Sequence, residues 1–107
     1  MVNTDGRKSC LYIIETADKH IINDKAKIGI ALDPEKRFNA IANTSPVRLF
    51  LFHYWTPLEL NPLSAQAIEI AIKRRLNFEK RNAHNKSREW FDMPGYILEA
   101  HVVAVMD

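Results

Sequence analysis

Two short runs of β-branched and aromatic residues, close together in the sequence, limit the fold more than any other feature. Residues 10–15 (CLYIIE) and 26–30 (AKIGI) each have the composition of a β-strand. The segment between them, residues 16–25, is mostly polar and is typical of a loop or the irregular tip of a hairpin. The simplest arrangement is an antiparallel pair of strands.

A helix and a third strand follow this pair. Asp33 can accept hydrogen bonds from the free amides of a first helical turn, and Pro34 loses nothing at the first helical position. Apolar residues then recur at the spacing of one helix face until Pro46, which ends the helix. Residues 47–55 predict a strand with aromatic residues on both faces, and hence with cover on both faces.

A second, longer helix follows a break at residues 57–62. Ser64 is placed to cap a helix that runs to about Arg81. Its apolar residues fall on one predicted buried stripe, which consists of Ala65, Ile68, Ile72 and Leu76. Residues 82–95 are polar, and residues 96–105 predict a last strand.

The predicted order is therefore β-β-α-β-α-β, a small α+β fold with a mostly antiparallel sheet flanked by helices. A chain of 107 residues has room for one core of ordinary size, so residues 1–107 are predicted to form a single domain. Fold class alone assigns no function.

The charge distribution is more informative than the net charge of +2. Residues 73–88 contain seven lysines and arginines against one glutamate, a local net charge of +6. A surface of this kind can steer a phosphate backbone to one side of the molecule, and it can equally be a solvated helix face.

Cys10 is the only cysteine, so the chain can form neither a disulfide framework nor a thiolate zinc site. Any bound metal would need oxygen ligands. Residues 1–8 lack the apolar run of a signal peptide, and no apolar segment approaches the ~20 residues that cross a bilayer. We expect a cytoplasmic protein without a membrane partner.

Four ordered features resemble the GIY-YIG nuclease superfamily. Leu11–Tyr12 lies in the first strand like the end of the GIY element, and Lys27–Gly29 in the second strand is similar to YIG. Arg37 follows eight residues after Gly29, and Glu69 lies in the later helix, as in that family. Residues 89–91 (EWF) resemble a phage-associated branch that is often described as DNA-binding, so the resemblance covers residues 10–92.

The resemblance implies a separate catalytic role for each of these residues. Tyr12 would activate the attacking water, Arg37 would clamp the phosphate, and Glu69 would hold Mg²⁺ or Mn²⁺ together with waters and the substrate phosphate. Lys27 would bring positive charge to the scissile phosphate. The implied partner is DNA, with RNA left open, and a protein partner could supply sequence specificity.

Further residues are predicted to contact the nucleic acid. They are Gly29, Lys73, Arg74, Arg75, Arg81 and Lys86. A polar side chain after the long helix, one of Asn82, His84 and Asn85, would also approach the site. The chain departs from the family by Lys27 in place of a tyrosine, by Ile30 where some members have lysine, and by Lys73 where the branch often has histidine.

Each of these residues also has a purely structural interpretation. Tyr12 is then a core tyrosine, Gly29 a bulge, Arg37 a helical partner of Asp33, and Glu69 a helical partner of Lys73. Three functions therefore stay open: a metal-dependent endonuclease, a nucleic-acid-binding module that does not cleave, and a protein-interaction module that uses the aromatic strand 47–55.

Overall fold

The hairpin predicted from the first two apolar runs forms the middle of the sheet. The protein is represented by a computed structural model that describes residues 8–17, 25–79 and 90–107. In chain order the elements are β1 (Cys10–Thr16), β2 (Ala26–Ala31), α1 (Pro34–Asn43), β3 (Leu49–Trp55), α2 (Pro57–Leu60), α3 (Ala65–Glu79), β4 (Trp90–Phe91) and α4 (Gly95–Met106). None of the helices described is both long and apolar enough to cross a membrane.

The four strands form one open antiparallel sheet in the order β3-β1-β2-β4. β1 pairs with β2 on one side and with β3 on the other. Helices flank this sheet, so the predicted α+β class is confirmed. The pairing of β4 reaches only Ala26 and Lys27, so among the residues described the later part of β2 is paired with β1 on one side and with no strand on the β4 side.

One face of the sheet carries the hydrocarbon core. Leu11 and Ile13 of β1 alternate with residues that face the other side, as a strand requires. They pack in one cluster with α3 and α4, and the helical members of that cluster include Ile68, Ile72, Leu76, Leu98 and Val102. The predicted stripe of α3 is confirmed, and each fully buried side chain of this size stabilises the fold by about 1.5–3 kcal/mol.

Both predicted helix starts are confirmed by hydrogen bonds. The Lys36 amide donates to Asp33 Oδ1 over 3.1 Å at the start of α1, where Pro34 occupies the first turn. The Ala67 amide donates to Ser64 Oγ over 3.1 Å at the start of α3. These side chains satisfy amides that an isolated helix end leaves without partners.

The predicted last strand is wrong, because residues 95–106 form the helix α4. Gly95, Leu98 and Val102 are buried at helical spacings of three and four residues, whereas Ala100, which a strand would place on the same face as Leu98 and Val102, is exposed. The Gly95 amide donates to Glu15 Oε2 over 2.8 Å, so a side chain of β1 holds the first turn of this helix. Packing therefore overrides the β-propensity of a valine-rich segment.

Two further details of the prediction are corrected. β3 is an edge strand, and it is not covered on both faces: most of its side chains are half-buried and Phe50 is 41% exposed. The predicted break at residues 57–62 contains the short helix α2. Thr56 and Glu59 cap its start reciprocally, each side chain bonding the other residue's backbone amide.

Gly95 provides the first prediction, because two physical effects of Gly95→Ala have opposite signs. Higher helix propensity alone would stabilise the protein by up to about 1 kcal/mol. An added Cβ would, however, lie 2.9 Å from Phe52 Cγ and 3.0 Å from Cδ1. We expect overpacking to dominate and to lower the free energy of unfolding by about 1–3 kcal/mol, measured by urea denaturation.

The control for this prediction is the double variant Gly95→Ala/Phe52→Leu. Its smaller side chain at position 52 relieves the overlap, so the two changes should be non-additive in a double-mutant cycle. A Gly95→Ala protein as stable as the wild type would contradict the packing of α4 against Phe52.

Candidate active site

The face of the sheet opposite the main core carries the polar residues that the sequence singled out. Tyr12 lies opposite Gly29 in the β1–β2 ladder, and Lys27 is two residues from Gly29, so all three share this face. The interacting side chains come from four elements: Tyr12 from β1, Lys27 from β2, Arg37 from α1 and Glu69 from α3. Residues far apart in sequence therefore form one charged cluster.

Gly29 makes room for the Tyr12 ring. A Cβ atom built on Gly29 would overlap Tyr12 Oη and Cζ, so any side chain there would collide with the phenol. The ladder passes through this pair without a register shift, which rules out the bulge interpretation. Tyr12 itself is only 2% exposed, so the hydroxyl is held within the fold and not at an open rim.

Arg37 extends from the exposed side of α1 to the Tyr12 hydroxyl. Burial raises the pKa of Tyr12 above its ordinary value, while the hydrogen bond and charge of Arg37 lower the pKa and the charge of Glu69 raises it. The net direction is upward, so the phenol is protonated at neutral pH. Arg37 is the group that favours the phenolate.

Lys27 is a buried cation, with 8% of its surface exposed. Burial and the nearby charges of Lys73 and Arg37 lower its pKa to about 8, against the opposing effect of Glu69. At pH 7 about a tenth of the Lys27 amines are therefore neutral. Lys27 thus titrates much closer to neutrality than an ordinary lysine.

Glu69 balances part of this positive charge. Its Oε2 lies 3.2 Å from Lys73 Nζ, so the helical pair considered in the sequence does form. The Glu69 side chain is only 18% exposed, however, and its charge also acts on Lys27 and Tyr12. The pair therefore belongs to the cluster, whereas the sequence analysis treated it as an alternative to a functional role for Glu69 and placed Lys73 among the nucleic-acid contacts. The i, i+4 spacing was the signal available for this connection.

The wider basic surface is described only in part. Arg74 and Arg75 are exposed on α3 next to Lys73. The remaining predicted contacts lie outside the described residues: Arg81, Asn82, His84, Asn85 and Lys86.

Cys10 is buried and forms no disulfide.

The described residues offer few ligands to a divalent cation. Within the described ranges no group of three or more His, Cys, Asp or Glu side chains could hold a metal. Glu69 is the carboxylate of the cluster, and carboxylate oxygen is the donor that Mg²⁺ and Mn²⁺ prefer. A Mg²⁺ ion bound through one or two carboxylates plus substrate phosphate and water fits this arrangement, whereas a cage built from protein ligands alone does not.

Comparison with known proteins adds one match. A family model described as the T5orf172 domain matches residues 9–106. No curated protein and no solved structure matches the chain.

The close fit of Tyr12 over Gly29 yields a second prediction. Gly29→Ala should displace the Tyr12 phenol, because the added Cβ would overlap Oη and Cζ of that ring. We expect this overpacking to lower the free energy of unfolding by about 1–3 kcal/mol. Urea denaturation measures the loss, and in a double-mutant cycle Gly29→Ala should cost less in the Tyr12→Ala background than in the wild type. Equal stability of Gly29→Ala and the wild type would show that the ring does not need this space.

The buried amine of Lys27 yields a third prediction. From about pH 8 to 10 the unfolded chain keeps a proton that the folded chain has lost, so the Lys27 contribution to the free energy of unfolding increases with pH. We expect the wild type minus Lys27→Met difference to increase over this window in urea denaturation. Exposed Lys36 is the matched control, since Lys36→Met should give a flat difference. A flat curve for Lys27→Met would contradict the lowered pKa.

Proposed function

Because the chain belongs to the T5orf172 domain family, a phage-associated group related to endonucleases, we propose that it is a GIY-YIG-type endonuclease that hydrolyses phosphodiester bonds in DNA. The observation that supports this proposal is the interaction of side chains from four separate elements: Arg37 hydrogen-bonds Tyr12, and the charges of Arg37 and Glu69 act on both Tyr12 and Lys27. A metal-dependent reaction in the cytoplasm, with sequence preference supplied by a protein partner, is part of the same proposal.

Phosphate binding is the role that the charges support most directly. Arg37 has a planar fork of donors that matches two phosphate oxygens, and its helix α1 is exposed. Lys27 and Lys73 add positive charge beside it. The exposed Arg74 and Arg75 extend the positive surface along α3, where they would contact the backbone on either side of the scissile phosphate.

Glu69 would hold the divalent cation, Mg²⁺ or Mn²⁺, through its carboxylate. When bound, such an ion takes up negative charge that develops on the phosphate oxygens during hydrolysis. The chain's own contribution is to place this carboxylate beside the phosphate-binding cations. One carboxylate suffices because the substrate phosphate completes the coordination shell.

Proton transfer depends on the positive charge near Tyr12. The phenol would orient the attacking water and, as phenolate, take its proton. Burial raises the pKa of Tyr12 and opposes this step, whereas Arg37 assists it. Lys27 differs from the tyrosine that it replaces, since its pKa of about 8 leaves a neutral fraction that accepts protons near neutrality.

A plasmid-nicking assay tests the proposal and gives the fourth prediction. The wild type should convert supercoiled DNA to the open circle with Mg²⁺ or Mn²⁺ and not with a chelator. Glu69→Gln and Arg37→Met should each lower the rate by about 100-fold or more, the loss expected for a group that acts in the transition state. Exposed Glu35 is the matched control, and Glu35→Gln should cleave like the wild type.

A non-cleaving DNA-binding module is the second candidate function. The observation in its favour is that Tyr12 is almost fully buried and its pKa is raised, which suits a structural phenol. This function predicts salt-dependent retention of DNA without any nicked product under all metal conditions. That result, with Arg37→Met weakening retention, would replace the endonuclease proposal.

A protein-interaction module is less well supported. It predicts no cluster of Tyr12, Arg37 and Glu69, yet these three side chains interact. Its suspected surface, the aromatic strand β3, is half-buried over most of its length.

A further inference from the structure

We propose that Lys73 blocks the Glu69 carboxylate from binding a divalent cation until a DNA phosphate is present, so that metal and DNA bind synergistically. This inference rests on the proposed function, because it concerns the order in which the same site is filled. It adds a regulatory role for a lysine at which the chain departs from the resembling family.

The first argument is the contact itself. Lys73 Nζ lies 3.2 Å from Glu69 Oε2, within ion-pairing distance of the oxygen that a metal would use. Both residues belong to α3 and are one helical turn apart, so the helix keeps the ammonium beside the carboxylate. The Glu69 side chain is 18% exposed and the Lys73 side chain is 32% exposed. Water therefore screens this ion pair less than it screens a fully exposed pair.

The second argument is the charge around the pair. Within the described ranges, Lys27, Arg37 and Lys73 are the cations of this cluster and Glu69 is its carboxylate. A divalent cation that joined Glu69 in the free protein would displace Lys73 and would still face all three positive charges. Such repulsion weakens metal binding in the absence of an anion.

A bound DNA phosphate would reduce the repulsion between the metal ion and these cations. It brings negative charge to the cations and offers Lys73 a second acceptor, so that the Glu69 oxygen becomes available to the metal. The phosphate also supplies further oxygen ligands. Because coupling between two ligands is reciprocal, the factor by which DNA strengthens metal binding equals the factor by which metal strengthens DNA binding.

Isothermal titration of Mn²⁺ provides a test that does not depend on catalysis. The full chain is titrated alone and in the presence of a short duplex with a hydrolysis-resistant phosphorothioate backbone. For the wild type we expect Mn²⁺ affinity to be about tenfold or more higher with the duplex, within the usual range of coupling between sites. Glu69→Gln should abolish the Mn²⁺ signal in both arms.

The Lys73→Gln variant separates blocking from a merely structural role. It should bind Mn²⁺ about tenfold more tightly than the wild type without DNA, and it should gain less from the duplex. Lys73→Arg keeps the charge and should behave like the wild type. Lys36→Gln removes an exposed lysine of α1 and is the matched control, with unchanged Mn²⁺ affinity.

The outcomes distinguish this inference from the proposed function. Equal Mn²⁺ affinity with and without DNA, unchanged by Lys73→Gln, would overturn the blocking role while leaving a metal-dependent nuclease intact. No Mn²⁺ binding in either arm would overturn both. If Lys73→Gln does not fold, as judged by circular dichroism, the wild-type comparison with and without duplex still decides whether coupling exists.

Discussion

The central strand β1 sets the arrangement of everything else, because it is paired on both sides and covered on both faces. Strand alternation sends Leu11 and Ile13 into the hydrocarbon core beneath α3 and α4. The same alternation sends Tyr12 to the opposite face, above Gly29. A one-residue slip in the pairing would exchange the two sets, so that Tyr12 would enter the hydrocarbon core and Leu11 and Ile13 would face the polar cluster. The register that stabilises the fold is thus also the register that builds the site.

On the polar face, burial and charge–charge interactions have opposing effects on the side chains. Burial disfavours the charged form of Lys27, and the positive charges of Lys73 and Arg37 repel it. Both effects lower the pKa of the Lys27 amine. Among the described side chains, Glu69 offsets part of this repulsion. The described members of the cluster carry more positive than negative charge, which is the charge distribution that the proposed phosphate ligand would complement.

Sequence patterns predicted the elements whose signals are local. The Asp33 and Ser64 caps and the buried stripe of α3 were predicted because side-chain hydrogen bonds and helical spacing act within a few residues. α4 was predicted as a strand because its apolar residues occur on every side and provide no clear period. Its helix depends on long-range partners, the Glu15 carboxylate and the Phe52 ring. The two-residue strand β4 likewise exists only through its pairing with β2.

The candidate site shows the same division between local and long-range information. Motif order predicted a set of site residues, but it could not decide between an accessible and a buried Tyr12 or show that the Lys73–Glu69 pair acts on Tyr12 and Lys27. Both lysines that depart from the family pattern lie where their charges act on one another. Relative to the family pattern, two ammonium groups replace a phenol and an imidazole, so the cluster carries more positive charge than that pattern would give it. Under the proposed function, a bound DNA phosphate would neutralise part of the charge of Lys27 and Lys73, and this neutralisation would make Glu69 available to a metal.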